Sequence, residues 1–205
     1  MARSLLTAHR LPFSVFIELT DHLRCPANHP EQYLVLLPEK MDGRRVETGE
    51  LGCPVCGRVT RIAEGIADFG DATASPGRTG LTAEAVATFL GLSGPGGYVA
   101  LIGGVSALTP ELSSLLPHVG LVLVNPPEQM QDAAAGILRA ARLPLKASSM
   151  RGVVVGADLA GESDWLSDAA AVVLPGLRVV AEGGEPPQSL ELLARSPECW
   201  VGKRR

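Results

Sequence analysis

Three cysteines in the first third of the chain have the spacing of metal ligands. Cys53 and Cys56 form a Cys-Pro-x-Cys knuckle, whereas the earlier Cys-Pro pair at Cys25 has Asn28 where a second cysteine would complete it. Zinc prefers four tetrahedral ligands drawn from Cys thiolates and His nitrogens. Because His29 directly follows Asn28, the sequence predicts a zinc site made of Cys25, His29, Cys53 and Cys56.

Two alternatives to this ligand set stay open. His22 is a second candidate for the fourth ligand, and in the other alternative the metal has been lost and the thiols are simply buried in a hairpin. If zinc is bound, we expect a structural role, because four protein ligands leave no position for water or substrate. The remaining cysteine, Cys199, lies far along the chain in "ECWVGKR". The pattern there predicts a last apolar strand in which Cys199 is a packed core thiol.

Composition limits the functions that the chain can have. The 205 residues are 46% hydrophobic, which is enough for a sizeable core in one domain or two small ones. The formal net charge of −4 gives no general support for binding nucleic acid. No apolar run reaches the roughly 20 residues that cross a bilayer, and His9, Arg10 and Pro12 interrupt the apolar N-terminus. We therefore expect a cytoplasmic protein.

The stretch "GDATASPGRTG" divides the chain into two parts of different composition. It is rich in Gly, Ser, Thr and Pro and has no apolar periodicity, as is typical of a linker. We predict a module over residues 1–70, a linker over 71–80 and a second domain over 81–205. In the module, the patterns predict a helix in "FSVFIELTDHL", a strand in "QYLVLL", a polar turn in "PEKMDGRR" and a hairpin around the knuckle.

The second part alternates helical and strand patterns. "LTAEAVATFLGL" opens with Thr82 as a candidate N-cap, and "PELSSLLPH" and "ESDWLSDAAAVVL" supply two further helices. "GYVALIGG", "LVLVN", "GVVVGAD" and "GLRVVAEG" are short Val-rich runs, as expected of strands buried on both faces of a parallel sheet. This alternation predicts an α/β fold in which a small zinc-ribbon-like α+β module precedes a Rossmann-like, mostly parallel sheet.

The N-terminal stretches resemble a known zinc module. "IELTDHLRCP" and "GELGCPVCGRVTRIAEGIADFG" are similar to the small zinc-binding activator subunit of tRNA, ribosomal RNA and release-factor methyltransferases. The matching positions are Cys25, Cys53, Cys56, Gly57, Ile62, Gly65 and Ile66. Asn28 and Ala67 depart from the pattern. The resemblance implies a zinc-ribbon-like unit that stabilises a methyltransferase by covering an apolar surface, here that of its own neighbouring domain.

The second part resembles a class I S-adenosylmethionine-dependent methyltransferase. The stretches that carry the likeness keep the family's order: "GGYVALIGGVSAL", "LVLVN", "ARLPLKASSMRGVVVGAD" and "AAVVLPGLRVVAEG". The resemblance implies S-adenosylmethionine as the cofactor. It assigns cofactor contacts to Gly103 and Gly104 in the first loop, Asn125 after the second strand and Asp158 after the fourth. For Asp158, capping the helix near "ESDWL" is an equally good interpretation.

Several positions depart from the methyltransferase pattern. Val105 stands where the family has the second glycine of Gly-x-Gly, and Leu101 replaces the acidic residue of the first strand. Asn125 replaces a carboxylate that accepts from both ribose hydroxyls, and its amide has a single acceptor oxygen. Ala140 and Ala141 occupy the region of the acidic residue that contacts adenine. Three expected cofactor contacts are therefore weakened together.

No set of side chains has the spacing of a catalytic site, so we predict no catalytic residue. The leading hypothesis is a non-catalytic methyltransferase-like binding or scaffold protein with a structural zinc module, acting through a protein partner or self-association. The alternative is an active S-adenosylmethionine-dependent methyltransferase with an atypical cofactor loop. A third hypothesis is a purely structural oligomer subunit. None of the three requires nucleic acid or a membrane.

Overall fold

A computed structural model describes residues 15–72, 75–128, 130 and 136–205. The described strands are β1 (Val15–Phe16), β2 (Val35–Asp42), β3 (Arg45–Gly52), β4 (Val59–Ala63), β5 (Ile66–Asp68), β6 (Tyr98–Ile102), β7 (Gly120–Val124), β8 (Gly136–Arg139), β9 (Met150–Val155), β10 (Val173–Ala181), β11 (Leu190–Arg195) and β12 (Trp200–Arg204). The described helices are α1 (Ile17–Thr20), α2 (Ala83–Leu90), α3 (Thr109–Leu115), α4 (Ala157–Ala160) and α5 (Ser163–Val172), with a 3-10 segment at Gly103–Leu108.

The second part of the chain forms a mixed, largely parallel sheet. Strands β8, β7, β6, β9 and β10 lie side by side in this order and are parallel, and β12 and β11 follow as antiparallel neighbours. Counted from β6, the five parallel strands have the 3-2-1-4-5 order of doubly wound nucleotide-binding folds. The predicted Rossmann-like sheet is therefore confirmed.

The N-terminal part extends the same sheet. Strand β3 pairs with β2 on one side and with β1 and β4 on the other, and β4 pairs with β5 in a tight hairpin. Strand β5 then lies parallel to β8, with Ile66 opposite Ile137 and Asp68 opposite Arg139. One continuous sheet of twelve strands thus runs through both parts. The domain boundaries and the zinc-ribbon character of the first part stay predictions.

Helices cover both faces of the central parallel strands. The core on one face includes residues of α2 and α3 and the core on the other includes residues of α4 and α5, which gives three layers. Thr82 caps α2 as predicted, since its hydroxyl accepts from the Ala85 N–H at 3.2 Å. Among the described residues, no helix has the length and apolar character that crossing a membrane requires.

Two predicted N-terminal elements are present but shorter than the sequence predicted, namely the helix and the polar turn, which is confined to Gly43 and Arg44. In "FSVFIELTDHL", Phe13 and Ser14 lie outside the described residues, Val15–Phe16 is a strand, and the helix is only Ile17–Thr20. Two contacts limit this helix to one turn. The preceding strand β1 pairs with β3, and Leu23, which follows the helix, bridges to Leu145. In "PEKMDGRR", β2 continues to Asp42, because β3 offers an antiparallel partner along its whole length.

Candidate functional site

The four predicted zinc ligands come together at one point. The ligand atoms of Cys25, His29, Cys53 and Cys56 all lie within 4.8 Å of one another. The Sγ atoms of Cys25 and Cys56 are 3.7 Å apart, and Cys53 Sγ is 3.4 Å from His29 Nε2. A tetrahedral zinc ion would set two sulfur ligands about 3.8 Å apart and a sulfur and a nitrogen about 3.6 Å apart. The cluster therefore has the size that zinc requires.

The knuckle is held by its own backbone. Cys53 follows β3 directly, its N–H donates to the Arg58 carbonyl at 2.9 Å, and the Gly57 N–H donates back to the Cys53 carbonyl at 3.0 Å. Gly57 has φ +69°, a left-handed conformation that glycine adopts at little cost. Cys25 is fixed by the preceding bridge from Arg24 to Tyr33. The turn thus brings Cys53 and Cys56 to one side of the loop that carries Cys25.

The two histidine candidates have different environments. His29 Nδ1 lies 2.7 Å from the Pro30 carbonyl, so Nδ1 carries the proton and the Nε2 lone pair is free to face the thiols. That contact also raises the pKa of His29. The His22 ring instead packs edge-on against Tyr98, with 5.3 Å between ring centroids, and lies outside the cluster. The structure therefore favours His29 over His22 as the fourth ligand.

The cluster contains thiols of opposite acidity. Burial raises the pKa of Cys25 to about 11. Burial also acts to raise the pKa of Cys53, but the backbone N–H groups of Cys56 and Val55 outweigh it and lower the pKa to about 6. Cys53 is therefore a ready thiolate, and a bound metal would displace the proton of Cys25.

The predicted cofactor loop after β6 is occupied by a carboxylate of the same chain. The Gly104 N–H donates to Asp158 Oδ1 at 3.1 Å. A Cβ atom on Gly103, which has φ +73°, would lie 2.6 Å from both carboxylate oxygens of Asp158. Asp158 therefore caps the backbone of this loop. It does not cap α5, whose N-cap position is Glu162.

A segment of the linker covers the same loop. We use "strap" for residues 75–82, which pass over the carboxyl ends of β6 and β10. The Arg78 carbonyl lies directly against Gly104, where an added Cβ would collide with it. Further along, the Gly80 N–H donates to Glu182 Oε1 at 2.5 Å. The strap backbone thus fills the space above Gly104.

Both polar atoms of the Asn125 side-chain amide form hydrogen bonds within the chain. Its side chain is buried, Nδ2 donates to the Ala140 carbonyl at 2.7 Å, and Oδ1 accepts from the Ala140 N–H at 2.9 Å. Asn125 has φ +50°, a conformation that Asn tolerates better than most residues. The pair closes the gap between the ends of β7 and β8. In this arrangement the amide oxygen of the predicted ribose contact is already engaged by the Ala140 N–H.

Glu182 is a residue of this crevice that the sequence did not single out. It follows β10 directly and is buried, with 7% of its surface exposed. One carboxylate oxygen holds the Gly80 N–H, while Oε2 is buried and has no hydrogen-bond partner among the described residues. Its position just after an apolar strand, like those of Asn125 and Asp158, was the available signal.

A separate groove of about 420 Å³ lies on the sheet beside β5 and β8. Its charged lining includes Arg61, Asp68 and Arg139, and Pro126 and Pro127 form part of its wall. No sequence pattern predicted it, because its residues come from separate strands and a loop.

The sequence matches no protein-family model and no curated protein. The fold is similar to three solved methyltransferases. The antibiotic-resistance methyltransferase Kmr is 12% identical with a TM-score of 0.42, and the match covers 65% of this chain and 97% of that chain. A SAM-dependent methyltransferase from Aquifex aeolicus is 15% identical with a TM-score of 0.42, and the match covers 60% of this chain and 88% of that chain. A methyltransferase from Geobacter sulfurreducens is 8% identical with a TM-score of 0.38, and the match covers 52% of this chain and 70% of that chain. At these identities and TM-scores, the likenesses assign neither ligand nor activity to this chain.

Proposed function

We propose that this protein is a non-catalytic, methyltransferase-like binding or scaffold protein whose N-terminal part holds a structural zinc ion. The observation that carries the proposal is the strap, whose Arg78 carbonyl lies on Gly104 where a cofactor would approach the loop. The hydrogen bond from Gly80 to the buried Glu182 fixes the strap there.

The side chains around the crevice support the same proposal. Asp158 binds the Gly104 N–H, and Asn125 binds both polar groups of Ala140, so the predicted cofactor contacts are satisfied within the chain. A buried polar group that already has partners gains little from a ligand, because ligand binding must first break those bonds. Binding of S-adenosylmethionine would therefore require the strap and Asp158 to move together.

Zinc would act as a cross-link in the first part of the chain. Cys25, Cys53 and Cys56 would bind it through sulfur and His29 through Nε2. When bound, the metal joins the loop after α1 to the β3–β4 hairpin. Four protein ligands leave no open coordination position, so its contribution is stability and not chemistry.

Calorimetric titration with S-adenosylmethionine and with S-adenosylhomocysteine tests the non-catalytic assignment. We expect no binding heat and no shift in melting temperature at millimolar ligand, whereas micromolar binding would contradict it. Metal analysis of the purified protein tests the zinc assignment, with one zinc expected per chain. The Cys53→Ser variant should lose the metal. Cys199→Ser is the matched control, because Cys199 is a buried thiol outside the cluster.

The alternative is an active S-adenosylmethionine-dependent methyltransferase in which Gly103, Gly104, Asn125 and Asp158 line the pocket. The order of the parallel strands and the left-handed Gly103 favour it. The same titration separates the two proposals.

A further inference from the structure

Over the residues that the structure describes, part of the sheet has one face without a helical cover. We use "open face" for the α2 and α3 side of β2, β3, β4, β5 and β8. Strand residues alternate there with residues packed on the other side, such as Leu51, Ile62 and Ala67. On the open face, Val35, Leu37 and Val59 are 51%, 59% and 56% exposed. Three apolar side chains on neighbouring strands are thus each more than half exposed.

Charged residues cross the open face in a single row. The strand registers place Leu37 opposite Glu50, Glu50 opposite Arg61, Arg61 opposite Asp68, and Asp68 opposite Arg139. The sign of the charge therefore alternates from β3 to β8. Among the described residues, no pair within this row approaches to the 4.0 Å of a salt bridge.

This row is complementary to itself under one symmetry operation. Consider a two-fold axis that lies in the plane of contact, runs parallel to the strands and passes between β4 and β5. The rotation puts Arg61 across from Asp68 of the second copy, and Glu50 across from Arg139 of the second copy. Every charge in the row then meets its opposite, as expected at an isologous interface.

The apolar positions match under the same rotation. Ala63 and Ile66 are cross-strand partners on either side of the axis, so each faces the other in the second copy. At the end of the row, Leu37 comes over the groove wall formed by Pro126 and Pro127. An exposed leucine would thus enter a proline-lined groove that is present in each copy.

Strand addition at the free edge of β2 explains these features less well. Pro38 lacks a backbone N–H, and the pairing of β2 with β3 is irregular between Pro38 and Lys40. Proline, lysine and bulges are features that block edge-to-edge pairing. The apolar and charged residues also lie on the face and not along the edge.

We propose that the open face is the interface of a homodimer with this two-fold symmetry. Five strands and three rows of side chains cover on the order of 400 Å² per copy, which is the size of a weak, transient interface. The dimer should therefore form at high protein concentration and weaken with salt, because exposed ion pairs are screened. The proposal is independent of cofactor binding and of the zinc site.

Sedimentation velocity with charge-reversed chains tests the proposal. An acidic variant carries Arg61→Glu and Arg139→Glu, and a basic variant carries Glu50→Lys and Asp68→Lys. We expect the wild type to dimerise with rising concentration, each variant alone to stay monomeric, and an equimolar mixture to form a 1:1 dimer. Arg61 and Asp68 are also neighbours within one chain, but only an interface between copies makes the mixture associate.

A charge reversal outside the open face and two neutral variants within it serve as controls. Arg195→Glu, on β11 at the other end of the sheet, should leave dimerisation unchanged. If a double reversal does not fold, the neutral variants Arg61→Gln and Asp68→Asn replace it, and each should weaken the dimer severalfold. A wild type that stays monomeric at millimolar concentration would overturn the proposal, as would a mixture that does not associate. A monomer that binds a different protein through this face would overturn it too.

Discussion

In the cysteine cluster, four side chains point at a common centre, and their ligand atoms make only loose contacts of 3.4 to 3.7 Å with one another. In the crevice at the strand ends, the side chains point at the chain itself, and Asn125 binds Ala140 at 2.7 and 2.9 Å. The first arrangement converges on a point that a ligand could occupy, whereas most polar groups of the second already have partners within the chain.

The two sites therefore differ in what a ligand could add to them. A site built for a ligand leaves donor atoms converging without partners, because desolvated groups gain most when the ligand supplies the missing bond. A crevice whose polar groups are already satisfied gains little from a ligand. The crevice has one exception, the buried Oε2 of Glu182, which lacks a partner among the described residues.

The largest effect should follow loss of the metal. Cys25→Ser removes a buried ligand, and we expect the variant to lose zinc and to melt on the order of 10 °C lower than the wild type. Scanning calorimetry and metal analysis measure both. Cys199→Ser should keep its zinc. A Cys25→Ser variant with unchanged melting temperature would remove the contrast between the two sites.

The next effect concerns Asn125. Asn125→Ala loses both hydrogen bonds to Ala140 and places alanine at φ +50°, so we expect a loss of about 3 kcal/mol in the free energy of unfolding. Denaturant unfolding measures this loss. Asn125→Gly is the matched control, since glycine tolerates the backbone conformation and isolates the amide. If both variants are as stable as the wild type, the amide is free to serve a ligand.

Release of the strap should lower the stability of the protein less than the two changes above, but it should clearly raise the rate of proteolysis. Glu182→Ala removes the acceptor of the Gly80 N–H, and we expect trypsin to cut after the exposed Arg78 about tenfold faster. Glu185→Ala is the control, because Glu185 is exposed and pairs with Arg195. Equal cleavage rates would show that Glu182 does not hold the strap. Binding of S-adenosylmethionine by Glu182→Ala alone would show that the strap closes a competent site.

The smallest effect is a pH dependence from His22. Burial, with the nearby charge of Lys146, lowers the pKa of His22 below its usual value of 6.5. The unfolded chain therefore binds this proton more readily, and stability should fall as the pH drops below about 6.5. His22→Asn should flatten this part of the profile while keeping zinc. A profile that His22→Asn leaves unchanged would contradict this prediction.

The cluster of Cys25, His29, Cys53 and Cys56 could be predicted because its spacing is largely local. Cys53 and Cys56 belong to one turn, and His29 lies four residues after Cys25, so the pattern itself limits where the ligand atoms can lie. The structure added the choice of His29 over His22, which depends on the packing of His22 against Tyr98. That contact joins residues 76 positions apart, and no local pattern encodes it.

Hydrophobic periodicity and helix capping act over a few residues, so the alternation of Val-rich strands and capped helices in the Rossmann-like sheet could be predicted from the sequence. The pairing of β5 with β8, which joins the N-terminal strands to this sheet, and the position of the strap in the crevice could not be predicted in this way. Gly80 and Glu182 are far apart in the chain, and Arg78 and Gly104 touch through backbone. Such contacts depend on how complete strands and loops pack together, which the order of side chains alone does not specify.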